Sequence, residues 1–571
     1  MNNWKVEKIG VVGPGIVGMP MAALLADAKI KIGTNQPAKV VVIQRNSENS
    51  GWKVDAINSG KSVIGGIEPE LNDIVEKSVK EGILSASHDF NDIVDADLIL
   101  VSIQTDKKGL EPDYGPMLGG LTSLAEALQN KPAYKKPIIV FESTLAPSSM
   151  MTVMKDHFAK FGLVEGKDIL LGNSPNRVMP GRLVERVAAS DKLIGGLQPE
   201  TPRMIKEVYS HIVKKGTLFT TNSLTAEIEK TLENAYRDVR IAFSAEIVRY
   251  CDDHNINFFR LRDSINNRLS QSDNATADPN AVPSGGLLIP MIGVGGHCLP
   301  KDGILLWWRK IEKEHNSTNS LIVGSRAIND EAPLKSIELA ERTFGSLNSK
   351  KIVLLGAAYR FNSEDTRNSP TLELAKLLIE KGCSVTIHDP FVKPDDQNLM
   401  KYGFESIFTN DFDTALNNAE YTFLCTSHKY YLDHADAVIS NKSNKGIFDG
   451  CNIYNSETVR KLEIPYCGIG RGQEEPSDEF VEFVFNSFLA CETGVANEVK
   501  SLIDFLNSHY ADTEFNKAKF KDVQHLASTC STGCEIVNPG KIEQIYSYHK
   551  FQSKLVEYAY NAQISPVIET L

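Results

Sequence analysis

The sequence predicts an α/β protein with a doubly wound parallel sheet at each end of the chain and long helices between them. Two strand–turn–helix openings support this, KIGVVGPGIVGMPMAALLAD at 8–27 and KIVLLGAAYR at 351–360, each followed by short apolar runs that alternate with helical stretches. Buried strands of a parallel sheet read as near-continuous apolar runs, which separates this pattern from an antiparallel sandwich. From about Thr201 to the second opening, the texture changes to long helical segments.

The first opening reads as a strand, a glycine turn and a helix with Met21, Leu24 and Leu25 on its apolar side. Strands are expected at KVVVIQ (39–44), ADLILVSIQT (96–105), PIIVFEST (137–144) and DILLGNSP (168–175). LTAEIEKTLENAYRDVRIAFSAEIVRYCDDH at 224–254 reads as one long helix, able to serve as connector, dimer core and substrate wall. The polar, Pro- and Gly-bearing stretch 266–286 reads as a loop or lid. After a helix around 331–344, the second opening leads to the helix TLELAKLLIEKG, the strand CSVTIHD ending at Asp389, and strands at YTFLCT (421–426) and GIFDG (446–450). The tail from about 476 to 571 is helical in texture and aromatic.

With 571 residues, 42% hydrophobic and 23% charged, the chain is long enough for two or three cores and too mixed to be disordered. Against 73 Asp and Glu stand 61 Lys and Arg, a net charge of -12 that argues against general nucleic-acid or anionic-membrane binding while leaving room for an anionic small ligand in a local pocket. Nine cysteines, odd in number and without zinc-ribbon spacing, point to a reducing compartment and mostly buried thiols. CSTGC, with Cys530 and Cys534, lacks the partners for a metal site, so packing is the expected role and no metal is expected. With no signal-type segment and no charge-free apolar run of about 18 residues, the expected location is cytoplasmic.

GPGIVG sets Gly13, Gly15 and Gly18 at GxGxxG spacing between a strand and a helix, where missing side chains allow a tight turn and close approach of a pyrophosphate to the helix amino end. A tight packing turn is the alternative. The second strand ends in Gln44 followed by Arg45 rather than in an acid, so NAD has NADP as a rival, because a guanidinium can meet a 2'-phosphate. Gln44 as a plain strand end and Arg45 as a solvated charge remain open.

GVGGHCLPKDG at 293–303 surrounds Cys298 with Gly293, Gly295, Gly296 and Gly303. Backbone and ligand can approach the sulfur there, and a thiolate beside a hydride acceptor can take an aldehyde through a thiohemiacetal to a thioester. His297 and Asp302 would tune its surroundings. On the long helix Glu227, Lys230, Asn234 and Arg237 recur at spacings of three and four on one face. Lys230 and Asn234 would stabilise an oxyanion and orient water, and Arg237 would face a phosphate; an ordinary surface network is the alternative.

Taken together, GVVGPGIVGMP, IEPEL, FESTLAP, NSPNRVMPGR, LTAEIEKTLENAYRDVRIAFSAE, VGGHCLPKDG, LGAAYRFNSEDTRNSP and YCGIGRG, in this order, resemble the UDP-glucose/GDP-mannose dehydrogenase family, especially members acting on UDP-N-acetylhexosamines. The resemblance spans residues 8 to about 472. It implies an α/β fold of two Rossmann-like domains joined by a central helical dimerisation domain, with the tail as an additional helical region. Boundaries at 1–205 (dinucleotide-binding), 206–346 (central, catalytic), 347–475 (nucleotide-sugar-binding) and 476–571 (extension of unknown role) follow. It also implies NAD-dependent twofold oxidation of a sugar C6 alcohol to a carboxylate in a homodimer or higher oligomer that makes a uronic acid for a surface polysaccharide, with no nucleic-acid or membrane partner.

By the same resemblance Cys298 is the nucleophile, Lys230 and Asn234 stabilise oxyanions and position water, Asp302 assists proton transfer, and Thr144 and Asn176 lie at the water. The cofactor set comprises Gly13, Gly15, Ile16, Val17, Gly18, Gln44, Arg45, Thr105, Thr144 and Arg367, and the substrate set Arg237, Gly295 and Arg360. Glu68 of IEPEL belongs to the resemblance without an assigned role. Four features depart from the family pattern: Gln44 for the ribose-binding acid, Arg360 for the Lys of AYK, Asn176 for the Glu of SPER, and a longer polar segment before GVGGHC. Arg360 keeps the charge and changes the geometry, while Asn176 cannot act as a base. Oxidation stopping at the aldehyde and a noncatalytic nucleotide-sugar scaffold are the rival readings.

Overall fold

The computed structural model describes residues 4–65, 68–178, 181–269, 286–314, 320–417, 419–455, 463–530, 534–542 and 553–559. The chain forms two compact units, one of residues 1–233, 304–315 and 499–530 and the other of 234–303, 316–498 and 531–571.

The first unit carries β1 (Lys8–Val12), β2 (Lys39–Ile43), β3 (Leu84–Ser87), β4 (Leu98–Val101), the separate hairpin β5 (Asp106–Lys108) and β6 (Glu111–Asp113), then β7 (Ile138–Phe141), β8 (Leu170–Asn173), β9 (Lys192–Gly196) and β10 (Leu218–Thr220). Its sheet has eight strands in the order β10-β9-β8-β7-β4-β1-β2-β3. Pairing is parallel except between β8 and β9. The chain reverses direction across the sheet between β1 and β4, the place where open α/β sheets form a crevice at their carboxyl ends. Val11, Val40, Val42, Leu98, Leu100 and Val140 pack with Met21 and Leu25 of the helix Gly18–Asp27 in one apolar cluster. The run 96–105 is a strand only over Leu98–Val101; from Ser102 the chain leaves the sheet and carries Thr105 to the strand ends. β3, β9 and β10 add to the expected strands, being too short or too mixed (LSAS, KLIGG, LFT) to read as such.

The second unit carries β11 (Lys351–Leu355), β12 (Ser384–His388), β13 (Phe408–Thr409), β14 (Tyr421–Leu424), β15 (Gly446–Asp449) and β16 (Tyr466–Gly468). These form one parallel sheet in the order β13-β12-β11-β14-β15-β16. The two Rossmann-like sheets and the helical regions expected from the sequence are therefore present.

Ser223–Asp253 is one helix of 31 residues. The stretch 266–286 is corrected at its start: Asn266 to Leu269 close the helix Phe258–Leu269, because the buried Asn266 amide accepts from Leu287 N at 2.7 Å and donates to Leu287 O at 3.1 Å. Residues 270–285 of that expected loop lie outside the described residues. The tail folds as the helices Asp478–His509 and Phe520–Ser528 and shares in both units' packing. In the first unit Lys310 donates to Ser501 Oγ at 3.1 Å and Asn222 to Lys517 O at 2.8 Å. In the second, Glu498 accepts from Leu321 N at 2.7 Å and Ile322 N at 3.2 Å, satisfying amides at a helix start. Among the described residues no helix is long and apolar enough to cross a membrane.

Candidate active site

In the first unit the turn after β1 is shaped for a ligand. Gly13 has φ +91°, and a side chain there would press on Ser102 O, while a Cβ on Gly18 would come within 2.1 Å of Gly13 O. A Cβ on Gly15, by contrast, would meet nothing within 4 Å. Ile16 is exposed, and no side chain caps the helix that starts at Gly18, with Val17 at its cap. An open glycine over an uncapped helix amino end fits the pyrophosphate of a dinucleotide. Gln44 ends β2 half-buried, its amide donating to Ser50 Oγ at 2.9 Å and Arg45 O at 3.2 Å; Arg45 is exposed. Thr105 and Thr144 are brought together, the Thr105 hydroxyl donating to Thr144 O at 2.7 Å.

Asn176 lies in a buried polar knot that the sequence does not announce. Its amide nitrogen donates to Glu142, and its oxygen accepts from Lys192 Nζ at 3.1 Å. Lys192 also pairs with Glu142 at 2.8 Å and donates to Ser174 O at 3.0 Å, and the Tyr209 hydroxyl donates to Glu142. Burial pushes the Lys192 ammonium down, against the pull of Glu142. A carboxylate thus does stand beside Asn176, from the residue just past the end of β7.

A second knot surrounds Lys230, which pairs with Glu233. Arg177 lies against the same carboxylate at 2.9 Å and against Glu229. Burial and then Glu233 push the Glu229 carboxyl up to about 8. Glu233 is buried too, yet Lys230 and Arg177 hold its carboxyl below the usual range. Glu227, on the same helix, accepts from Ser148 N at 2.9 Å and Met150 N at 2.8 Å, which ties it to the backbone after FEST. Glu68 accepts from Leu183 N at 2.9 Å and from Gly181 N, so it closes the start of the helix Leu183–Ala189.

In the second unit Cys298 is exposed while the other eight cysteines are buried. Its carbonyl accepts from Asp302 N at 2.9 Å and Lys301 N at 3.1 Å, so Cys298 opens the helix Leu299–Glu314 at its positive end. Asp302 is fully buried, accepting from Asn234 at 2.7 Å and from Lys301 at 2.6 Å. Two of the expected site residues therefore meet, and Lys301 joins them unannounced.

The glycine loop before Cys298 is pressed against the second opening. Cβ atoms on Gly295 and Gly296 would strike Tyr359 at 2.4 and 3.0 Å, and Gly296 N donates to Arg367 O at 2.8 Å. The bareness of Gly295 thus serves packing against Tyr359. The Arg367 guanidinium is engaged by Asp365, through Nε at 2.9 Å, and charge on Cys298 also bears on it. Arg237 and Arg360 are half-buried, and Arg360 stands over Phe361.

Of the residues in these clusters, the sequence links Thr144, Asn176, Lys230, Asn234, Cys298 and Asp302 to the chemistry. It does not link Glu142, Lys192, Tyr209, Arg177, Glu229, Glu233 and Lys301, although the adjacency of Lys301 to Asp302 and the place of Glu142 in FEST are visible signals.

Residues 7–213 match the NAD binding domain, 224–331 the central domain and 353–456 the UDP binding domain of the UDP-glucose/GDP-mannose dehydrogenase family. A UDP-N-acetyl-D-mannosamine dehydrogenase of Methanococcus maripaludis is 28% identical over 479 residues, covering 82% of this chain and 98% of that protein. Its counterpart from Yersinia pestis is 29% identical over 441 residues, 74% of this chain and 94% of the other. The crystal structure of an NDP-N-acetyl-D-galactosaminuronic acid dehydrogenase from Methanosarcina mazei aligns with a TM-score of 0.67 at 30% identity, over 82% of this chain and 96% of that one. With all three of its domains matched and this architecture in place, the chain belongs to the UDP-glucose/GDP-mannose dehydrogenase family.

Proposed function

We propose that this nucleotide-sugar dehydrogenase oxidises the C6 alcohol of a UDP-N-acetylhexosamine to the carboxylate in two steps, with Cys298 as covalent nucleophile, in a homodimer or larger assembly. The observation that carries the chemistry is the exposed Cys298 at the amino end of its helix, in the unit that holds the Asn234–Asp302–Lys301 cluster. The names of the relatives support an N-acetylated sugar.

NAD, when bound, accepts one hydride in each oxidation. Gly13, Gly15, Ile16, Val17, Gly18 and Gln44, with Thr105 and Thr144, are the residues proposed to hold it. Loss of hydride and proton from the C6 alcohol leaves an aldehyde. The Cys298 thiolate then adds to the aldehyde carbon and the oxyanion takes a proton; loss of hydride from that carbon and of the hydroxyl proton leaves a thioester. Water adds, the carbon–sulfur bond breaks, and carboxylate leaves with the thiol restored. Lys230 and Asn234 supply donors to the negative oxygen, and Asp302 exchanges the proton. Asn176 orients water and takes no proton.

Counting reduced cofactor and weighing the product on a panel of nucleotide sugars tests the reading. Two equivalents per sugar and a uronic acid are expected; one equivalent with an aldehyde, or none, overturns it. Cys298→Ser should end acid formation while nucleotide-sugar binding persists, and wild-type acid output in that variant would remove the nucleophile assignment.

A further inference from the structure

The cluster around Lys230 has a third side, which comes from beyond the residues that match the family. The helix Phe520–Ser528 of the first unit ends against the Arg177 guanidinium. Arg177 Nη1 donates to Thr529 Oγ1 at 3.1 Å and Nη2 to Leu526 O at 3.4 Å, while the Thr529 hydroxyl donates to Leu526 O at 2.7 Å. The Cys530 thiol bonds to the Glu233 side chain. Arg177 is otherwise taken up by Glu229 and Glu233, the latter shared with Lys230. The carbonyl end of a helix carries partial negative charge, so the tail presents a guanidinium with the acceptors it lacks. Two cations and two carboxyl groups are thereby packed together, with Glu229, Lys230 and Glu233 buried, where the position of one charge governs the next far more strongly than in water.

We propose that the C-terminal extension is a positioning element for the oxidation: through Thr529 and the Leu526 carbonyl it fixes Arg177, Arg177 fixes Glu233, and Glu233 fixes the Lys230 ammonium. This rests on the reading of Lys230 as an oxyanion donor. The extension is then part of the catalytic architecture, and Arg177 and Thr529 act through Lys230 without touching substrate. A purely structural clamp would change stability alone. A positioning chain also changes the charge balance at Lys230, and with it the pH dependence of turnover. Its effect falls on the chemical steps and leaves substrate affinity nearly intact.

The test uses the full chain with substrate and NAD. Arg177→Gln should lower kcat at least tenfold with KM within threefold and shift the pH profile of kcat, and Arg177→Lys should recover part of the loss. Thr529→Val, nearly isosteric, should shift kcat and the pH profile in the same direction by about threefold. Melting curves identify any variant that fails to fold, and Thr529→Val alone then decides. A folded Arg177→Gln, or a Thr529→Val, with wild-type kcat and pH profile overturns the proposal. Lys230→Ala is the reference: full turnover in that variant removes the reading of Lys230 itself, whereas a dead Lys230→Ala beside a silent Thr529→Val removes only the tail's part.

Discussion

The two sheets open in the same way and close differently. Each begins with a strand followed by a glycine at positive φ, Gly13 or Gly356, and in each the missing side chain makes room for the end of a neighbouring strand, at Ser102 in one and Thr426 in the other. After that point they diverge. In the first sheet Gly15 faces open space and the helix starts without a side-chain cap. In the second, the carboxylate of Asp389, just past the end of β12, accepts from Ala357 N at 2.8 Å, Ala358 N at 3.0 Å and His428 Nε2 at 3.0 Å. The acid that a dinucleotide turn would offer to a ribose is bound to the chain itself, and those two amides are not available to a phosphate. The corresponding place in the first sheet holds Gln44. A shared strand order therefore does not make a shared site; the occupancy of the turn's own donors does.

The comparison can be broken hardest at Gly15. Gly15→Val adds a side chain into open space, so melting should be unchanged while NAD affinity falls by about a thousandfold, as the pyrophosphate loses its approach. Calorimetric titration beside a melting curve decides, and retained NAD binding would show that the open turn is not the cofactor site. Gly356→Ala should do the reverse. Its Cβ would come within 2.4 Å of Thr426 at φ +107°, so a loss of about 2–3 kcal/mol is expected in denaturant unfolding, with NAD affinity intact.

Acid should also separate the sheets. His388, buried at the end of β12, is pushed down to about 4, chiefly by burial. Its folded value lies below its unfolded one, so its contribution is complete above about pH 6.5 and is lost as pH falls toward 4, by about 2 kcal/mol at pH 5. His388→Asn should flatten the unfolding free energy between pH 6.5 and 5, and an unchanged slope would refute the assignment. Gln44 cannot titrate there. The smallest effect concerns cofactor choice: Gln44→Asp should increase discrimination against NADP by about five- to tenfold, read as a ratio of kcat/KM values, because a carboxylate repels the 2'-phosphate. Equal ratios in both proteins would show that Gln44 and Arg45 do not set the preference.

What could be read in advance follows from how far each pattern reaches along the chain. Strand, glycine turn and helix are local, so both openings, the long helix and the GVGGHC loop were visible in the sequence. Asn234 and Asp302 were singled out from separate motifs, and the fold joins them. The Asn176 departure looked like a missing carboxylate. In space it has Glu142 beside it, held by Lys192 and Tyr209: one residue just past β7, one at the start of β9 and one at the end of the helix Thr201–Tyr209.

The sequence by itself determined the two α/β openings, the positions of many strands along the chain, the family resemblance and the candidate nucleophile, because side-chain periodicity and glycine geometry are properties of short segments. Only the tertiary structure decided which buried charges share a partner: Arg177 with Glu229, Glu233 and Thr529, and Lys301 with Asp302. A buried ion must find a counter-charge or a donor within hydrogen-bond reach wherever the fold supplies one, and a tail helix some 350 residues away is as near as the next turn once the chain has packed.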